Sequence, residues 1–223
     1  METYIYFAVS AAASRLIPLG TGLWRRRTLT FATAMLMLFI VLSLAGDVAM
    51  FVLGRVFRRN NLWVSHLLIG MQTPILLLAL SEWMPKGSTK TLRLGALAAF
   101  GAWIVLTAFI ESPERFARVT GPLQAAVFCL YAIAVLIGRG LTSEGTMLRS
   151  DWFWVSSGVL LLYGLTAVHR PLLDLFTSGG VQGIPAWTVL KALMVLQVIA
   201  NLMFARALSL PANPIPRPLP AVA

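Results

Sequence analysis

Five residues of this sequence place a charged or hydrogen-bonding side chain inside apolar surroundings: Asp47, His66, Gln72, His169 and Lys191. Lys191 stands inside WTVLKALMVLQVIANLMF, about one turn after its start at Trp187. Groups of these types bind ions, relay protons or pair with one another when they lie in an apolar medium, where an unpaired charge is expensive. Two histidines on separate segments are the minimum for axial ligation of a haem, and Asp47 is a possible third ligand for zinc. No ligand-spaced motif supports either group. The sequence also lacks a nucleotide-binding glycine loop, H-E-x-x-H and G-x-S-x-G. Ser156 and Ser157 fall near one end of their segment and His169 near the other, which disfavours a serine hydrolase pairing. We therefore expect no catalytic chemistry and no metal, and assign no cofactor.

The setting of these residues follows from composition. Of 223 residues, 58% are hydrophobic and 12% charged, and the mean hydropathy is +0.81. Soluble domains carry about 25% charged residues, so the chain reads as a membrane protein. The net charge of +10 would suggest nucleic acid in a soluble domain. Here the basic residues fall mostly between apolar runs, where they set topology and meet lipid headgroups, so nucleic acid is not an expected partner and the lipid bilayer is. The single cysteine, Cys129, forms no internal disulfide and reads as a small core residue.

A helix needs about 20 mainly apolar residues to cross a bilayer. Seven segments meet this: 3–23, 29–56, 62–84, 91–110, 122–137, 151–175 and 185–208. The first, interrupted by Arg15 and Pro18, is the weakest. It lacks the basic residues that open a secretory signal, so it reads as a helix that stays. The connections are too short for a soluble domain. The expected architecture is an all-α, seven-helix integral membrane bundle over residues 1–210, with a Pro-rich, mobile tail over 211–223. No internal repeat is visible, which argues against a transporter built from duplicated halves.

With the N-terminus outside, ten Lys and Arg fall on the inner side (Arg25, Arg26, Arg27, Lys86, Lys90, Arg93, Arg139, Arg149, Arg206, Arg217). Six fall on the outer side (Arg55, Arg58, Arg59, Arg115, Arg118, Arg170). The excess predicts N-terminus outside and C-terminus inside. Counting along alternating helices at about 1.5 Å per residue puts Asp47, His66, His169 and Lys191 in the same, outer half of the bilayer, with Gln124 level and Gln72 slightly deeper. Asp47, of opposite sign and similar depth, is the expected partner of Lys191. His66 and Gln72 are six apart, about 120° around a helix, and need not share a face. Arg15 is expected to approach Gln197 or Asn201, or to snorkel to the inner surface. Gln197 and Asn201, at i and i+4, read chiefly as interhelical packing contacts. Asp151 suits a helix N-terminus, and Trp24, Trp63, Trp83, Trp152, Trp154 and Trp187 read as interfacial anchors.

Three stretches carry a resemblance: NNLWVSHLL with Gln72 beyond it, WFWVSSGVLLLYG, and the last helix with Gln197 and Asn201. They resemble a group of small uncharacterised bacterial seven-transmembrane-helix proteins, themselves similar to the membrane part of bacterial sensor proteins. In that group the third helix carries a glutamate six residues after the histidine; His66 matches, but Gln72 replaces the acid and removes an acid–base role there. The resemblance implies an intact bundle without an attached kinase. A lysine in the last of seven helices is also a feature of microbial rhodopsins, but those carry an aspartate one turn earlier, where this chain has Trp187.

The reading that joins these features is a receptor-like or sensor module of a bacterial inner membrane. A pocket formed by Asp47, His66, Gln72, His169 and Lys191 would bind a small ligand in the outer half, and a separate inner-face partner would receive the signal. The rival is a non-catalytic accessory subunit of a larger respiratory or photosynthetic membrane complex, its apolar stripes meeting other subunits. A small transporter is a third reading.

Overall fold

The computed structural model is all-helical, with no strand among the described residues. It describes residues 2–84, 86–114, 117–141, 147–178 and 186–211, leaving the side chains of 2–5, 86, 168–178 and 186–190 outside the description. The first expected segment is a rod in two pieces, α1 (Glu2–Ala13) and α2 (Leu16–Trp24). Pro18 has no N–H to give the Ser14 carbonyl. Ile17 donates to that carbonyl at 3.2 Å and Arg15 to Ala12 at 3.2 Å, so the chain tightens into three-residue turns between the pieces.

The other helices are α3 (Phe31–Phe51), α4 (Leu62–Glu82), α5 (Lys86–Phe109), α6 (Thr120–Gly140), α7 (Asp151–Ser178) and α8 (Ala186–Ser209). Their limits fall within a few residues of the apolar segments read from sequence. Five stretches are long and apolar enough to cross a membrane: Phe31–Val56, Leu62–Glu82, Gly87–Phe109, Thr120–Gly140 and Lys191–Ser209. At 12 and 9 residues, α1 and α2 are each too short alone. The Pro-rich tail lies outside the described residues from 212 onward.

Local chemistry sets the helix ends. Thr30 caps α3, its hydroxyl accepting from the Thr33 N–H at 3.3 Å. Beyond Phe51 the helix loosens into a π turn, Val52–Val56, and stops at Arg58, whose φ of 50° ends the right-handed path. Widening of this kind frees carbonyls; the Met50 carbonyl is taken up by Asn61 Nδ2 at 2.8 Å, which fastens the end of α3 to the start of α4. Pro74 lies inside α4, where removal of one backbone donor is tolerated if neighbouring groups compensate.

Packing arranges six rods in a closed ring. The α1–α2 rod touches α3 and α8, α3 packs on α4, α4 on α6, α6 on α7, and α7 on α8. The core runs through the ring, with Leu36, Leu76, Leu80, Phe128, Val155, Val159 and Phe204 essentially removed from solvent. Phe39, Phe128 and Tyr163 meet at its centre, with the Phe128 and Tyr163 rings edge to face at 4.7 Å. Outside the ring lies α5, packed mainly on α4, and Ala96 is its one buried residue among those described.

The ends of the bundle opposite the 57–61 connection are pinned by polar contacts. Arg25 donates to the Ser209 carbonyl at 2.6 Å, joining the ends of α2 and α8. Asp151 accepts from the Trp152 N–H at 2.9 Å, as its place at a helix start suggests, and from Trp83 Nε1 at 3.2 Å. Arg139 donates to the Trp83 carbonyl. This corrects the reading of Trp83 and Trp152 as interfacial anchors: they are 6% and 5% exposed and belong to the core. Trp24 is 89% exposed.

Candidate functional site

The ring surrounds a polar cavity of about 210 Å³. Every rod of the ring lines it. The α1–α2 break gives Arg15; α3 gives Ser43 and Asp47; α4 gives Ser65 and Gln72; α6 gives Gln124; α7 gives Tyr163 and Thr166; and α8 gives Gln197 and Asn201. Nothing from α5 contributes. The cavity lies toward the end of α3 and the starts of α4 and α6, at the level predicted by counting residues along the helices.

The charge partnership differs from the expected one. Asp47 forms an ion pair with Arg15, and their side chains are 30% and 15% exposed. Lys191 instead places Nζ over the Phe7 ring, 5.9 Å from its centroid, a cation–π contact. Depth gives the level of a residue but not its direction around the bundle. Because the α1–α2 rod sits between α3 and α8, the cation facing Asp47 comes from that rod. Arg15 thus lines the same cavity as Gln197 and Asn201 and does not snorkel away.

Of the five candidate residues, Asp47 and Gln72 line the cavity. His66, one turn and a half before Gln72, points away from it. It is 2% exposed, with Nδ1 3.4 Å from Glu111 Oε2. The 120° offset between positions six apart accounts for this divergence. Lys191 is absent from the lining, and the side chain of His169 lies outside the described residues.

Sequence reasoning missed Glu111, which was read as part of a polar connection. Its Oε1 accepts from the Val119 N–H at 2.6 Å and the Thr120 N–H at 3.0 Å, and its Oε2 takes the Thr120 hydroxyl. Glu111 therefore caps α6 from outside its own turn and ties that cap to His66 on α4. Burial pushes this carboxyl upward. The hydrogen bonds from Thr120 and Val119, with the charge of His66, outweigh burial and hold it below the ordinary glutamate value. The available signal was an acidic residue just past a helix end, at the same depth as His66.

The four amides of the cavity have fixed orientations. Gln124 Nε2 donates to the Ile69 carbonyl at 3.2 Å and to Thr73 Oγ1 at 3.0 Å. Gln197 Nε2 donates to the Ala11 carbonyl at 3.2 Å. Gln72 Nε2 meets Ser43 Oγ at 2.9 Å, and Asn201 Nδ2 meets Ser14 Oγ at 2.7 Å. A carbonyl only accepts. The hydroxyls of Ser14, Ser43 and Thr73 have each given their hydrogen to a carbonyl of their own helix, at 2.7, 2.8 and 2.6 Å, so they too accept. Each amide must therefore turn its NH₂ to the protein, and no carbonyl oxygen of the four has a donor among the described residues. The lining hydroxyls of Ser65 and Thr166 are likewise committed to the Leu62 and Leu162 carbonyls, at 2.6 and 2.7 Å. The cavity wall offers acceptors on most sides, with the Arg15 guanidinium as its cation.

A second hollow of about 280 Å³ lies behind Gln124, between α4, α5 and α6, and is walled by Ala99, Ala102, Trp103 and Leu106 of α5. Gln124 and Ile69 border both spaces, and Thr73 the second. Among the described residues no cluster of three metal-ligating side chains occurs.

Comparison with protein-family models, curated proteins and solved structures finds no match to this chain.

Proposed function

We propose that this chain is a seven-span, receptor-like module of a bacterial inner membrane, with its N-terminus outside and C-terminus inside, which binds a small ligand in the central cavity and signals to a separate inner-face partner. The observation that carries the reading is the convergence of six rods on one polar space with unused acceptors. Packing contacts between helices satisfy both partners; here one end of every amide is left over. The ring also gives a ligand something to act on, because a molecule touching all six rods stabilises the arrangement that fits it over one that does not. The resemblance to small bacterial seven-helix proteins, and through them to the membrane part of bacterial sensors, agrees with this role.

The test uses the chain with Cys129→Ser and Thr166→Cys, so that one thiol faces the cavity. A small water-soluble thiol reagent should label Cys at that position from the side of the 57–61 connection. The polar small-molecule fraction of the source cells should slow labelling at least tenfold. Labelling indifferent to that fraction would contradict the reading.

A second reading is favoured by α5, which lies outside the ring with most of its surface exposed. In an accessory subunit of a larger complex, that helix would meet a neighbour. A stoichiometric partner crosslinking to Leu97 or Val105 in native membranes would support this role.

A further inference from the structure

We infer that the occupant of the central cavity is a small zwitterion, an amino acid with a short side chain, held with its carboxylate on Arg15 and its ammonium on Asp47 and the free amide oxygens. The inference rests on the ligand-binding reading above and deepens it.

Three observations narrow the class. The first is size. About 210 Å³ equals the liquid volume of roughly seven water molecules at about 30 Å³ each, and lies below the roughly 300 Å³ at which drug-sized pockets begin. The occupant therefore has about seven non-hydrogen atoms. The second is charge. Arg15 and Asp47 cancel, and among the described residues no other ionised side chain lines the space. A ligand of net charge would bring a charge that the paired Arg15 and Asp47 do not compensate. The occupant is neutral overall.

The third is hydrogen-bonding sense. Among the described residues the oxygens of Gln72, Gln124, Gln197 and Asn201 have no donor, and the hydroxyls of Ser14, Ser43, Ser65, Thr73 and Thr166 have spent their hydrogens. An ammonium has three donors and no lone pair, whereas each alcohol of a polyol brings lone pairs as well as a hydrogen. Acceptors without donors suit an ammonium, whereas most of a polyol's oxygens would face oxygens. Beside Asp47, Arg15 engages that carboxylate through Nη1, and its fork of five N–H donors has capacity for a second carboxylate. The paired cation and anion lie side by side, as the carboxylate and ammonium of an α-amino acid do, so each can meet the opposite end of the ligand.

The experiment is thermal unfolding of the whole chain in lipid nanodiscs at neutral pH with four probe sets at equal concentration. These are glycine, L-alanine and L-serine; ethylamine; propionate; and glycerol. A zwitterion present at about 100 times its Kd should raise Tm by about 5 °C or more, and the other three sets by much less. Asp47→Asn leaves Arg15 without its partner and should shift preference toward propionate, with zwitterion affinity down at least tenfold. Should that variant not fold, the wild-type panel decides alone. Stabilisation by ethylamine, propionate or glycerol equal to that by the amino acids would overturn the zwitterion and leave the cavity a ligand site. Silence from all four sets, with Thr166→Cys still protected by the cell extract, would do the same. Silence in both experiments would overturn the zwitterion and the ligand-binding reading together.

Discussion

Arg15, at the break between α1 and α2, forms an ion pair with Asp47, four residues before the end of α3. The pair bridges two rods whose remaining contact is small and closes the ring on the side where the first segment is interrupted. Pro18 makes that interruption, and the interruption turns Arg15 inward.

Breaking this pair should destabilise the fold by about 1–3 kcal/mol, below the 3–5 kcal/mol of a fully buried pair because both side chains keep partial exposure. Arg15→Met and Asp47→Asn should each show this loss, and the double variant should lose less than the sum. Lys191→Met combined with Asp47→Asn should instead be additive. Chemical unfolding of the two double-mutant cycles checks both statements. Coupling of Asp47 to Lys191 rather than to Arg15 would contradict the arrangement of α1–α2 between α3 and α8.

Glu111 should make stability depend on acid. Its folded pKa lies below the ordinary value, so its contribution is complete above the unfolded pKa, about 4.3, and is lost as pH falls through the folded one. At neutral pH Glu111→Gln should cost about 1–2 kcal/mol through the weakened cap on α6. Melting curves of wild type and variant should converge as the pH is lowered past 4. A gap that persists in acid would show that the carboxylate charge is not what the cap uses.

Gly158 of α7 lies against Phe204 of α8. A Cβ there would sit 2.7 Å from the ring of Phe204, itself 1% exposed. The buried ring must shift to admit the methyl, so Gly158→Ala should destabilise by about 1–3 kcal/mol. Restoration by Phe204→Leu in the same chain would confirm the cause. An unchanged Tm for the single variant would contradict the packing of these helices.

Much of this fold was legible in the sequence. Six of the seven apolar runs became unbroken helices close to the expected limits, since length and hydropathy alone decide where a bilayer-crossing helix fits. The first run became two pieces, and the residues that break it, Arg15 and Pro18, were the ones that had made it weak. That Asp47, Gln72 and Gln124, which line one cavity, lie near one level was also readable, because helical rise converts sequence number into depth. Their partners were not. Asp47 was matched to Lys191 on depth and sign, yet facing direction depends on the order of helices around the ring, which spacing does not encode. Glu111 was missed because a carboxylate in a connection normally faces water. Here the connection folds back over α6, and the orphan N–H groups of that helix draw the acid in.

Gln197 and Asn201 were read as packing contacts, and each does hydrogen-bond to α1 or the residue after it. Asn201→Leu removes the donor to Ser14 and should cost about 0.5–1.5 kcal/mol, in the range of membrane interhelical hydrogen bonds. Steric trapping in bilayers or denaturant unfolding in mixed micelles would measure it. A larger loss would assign the amide to the cavity's integrity rather than to one contact.

The central claim is that six rods enclose a space for a small molecule. Native mass spectrometry of the chain, extracted gently from its own membrane, tests it most directly when wild type is compared with Thr166→Phe, which fills the cavity from α7. The account predicts a single chain carrying a small polar adduct in wild type and a bare chain in the variant. A bare wild-type chain, an adduct indifferent to the substitution, or a defined assembly with other membrane subunits would contradict it.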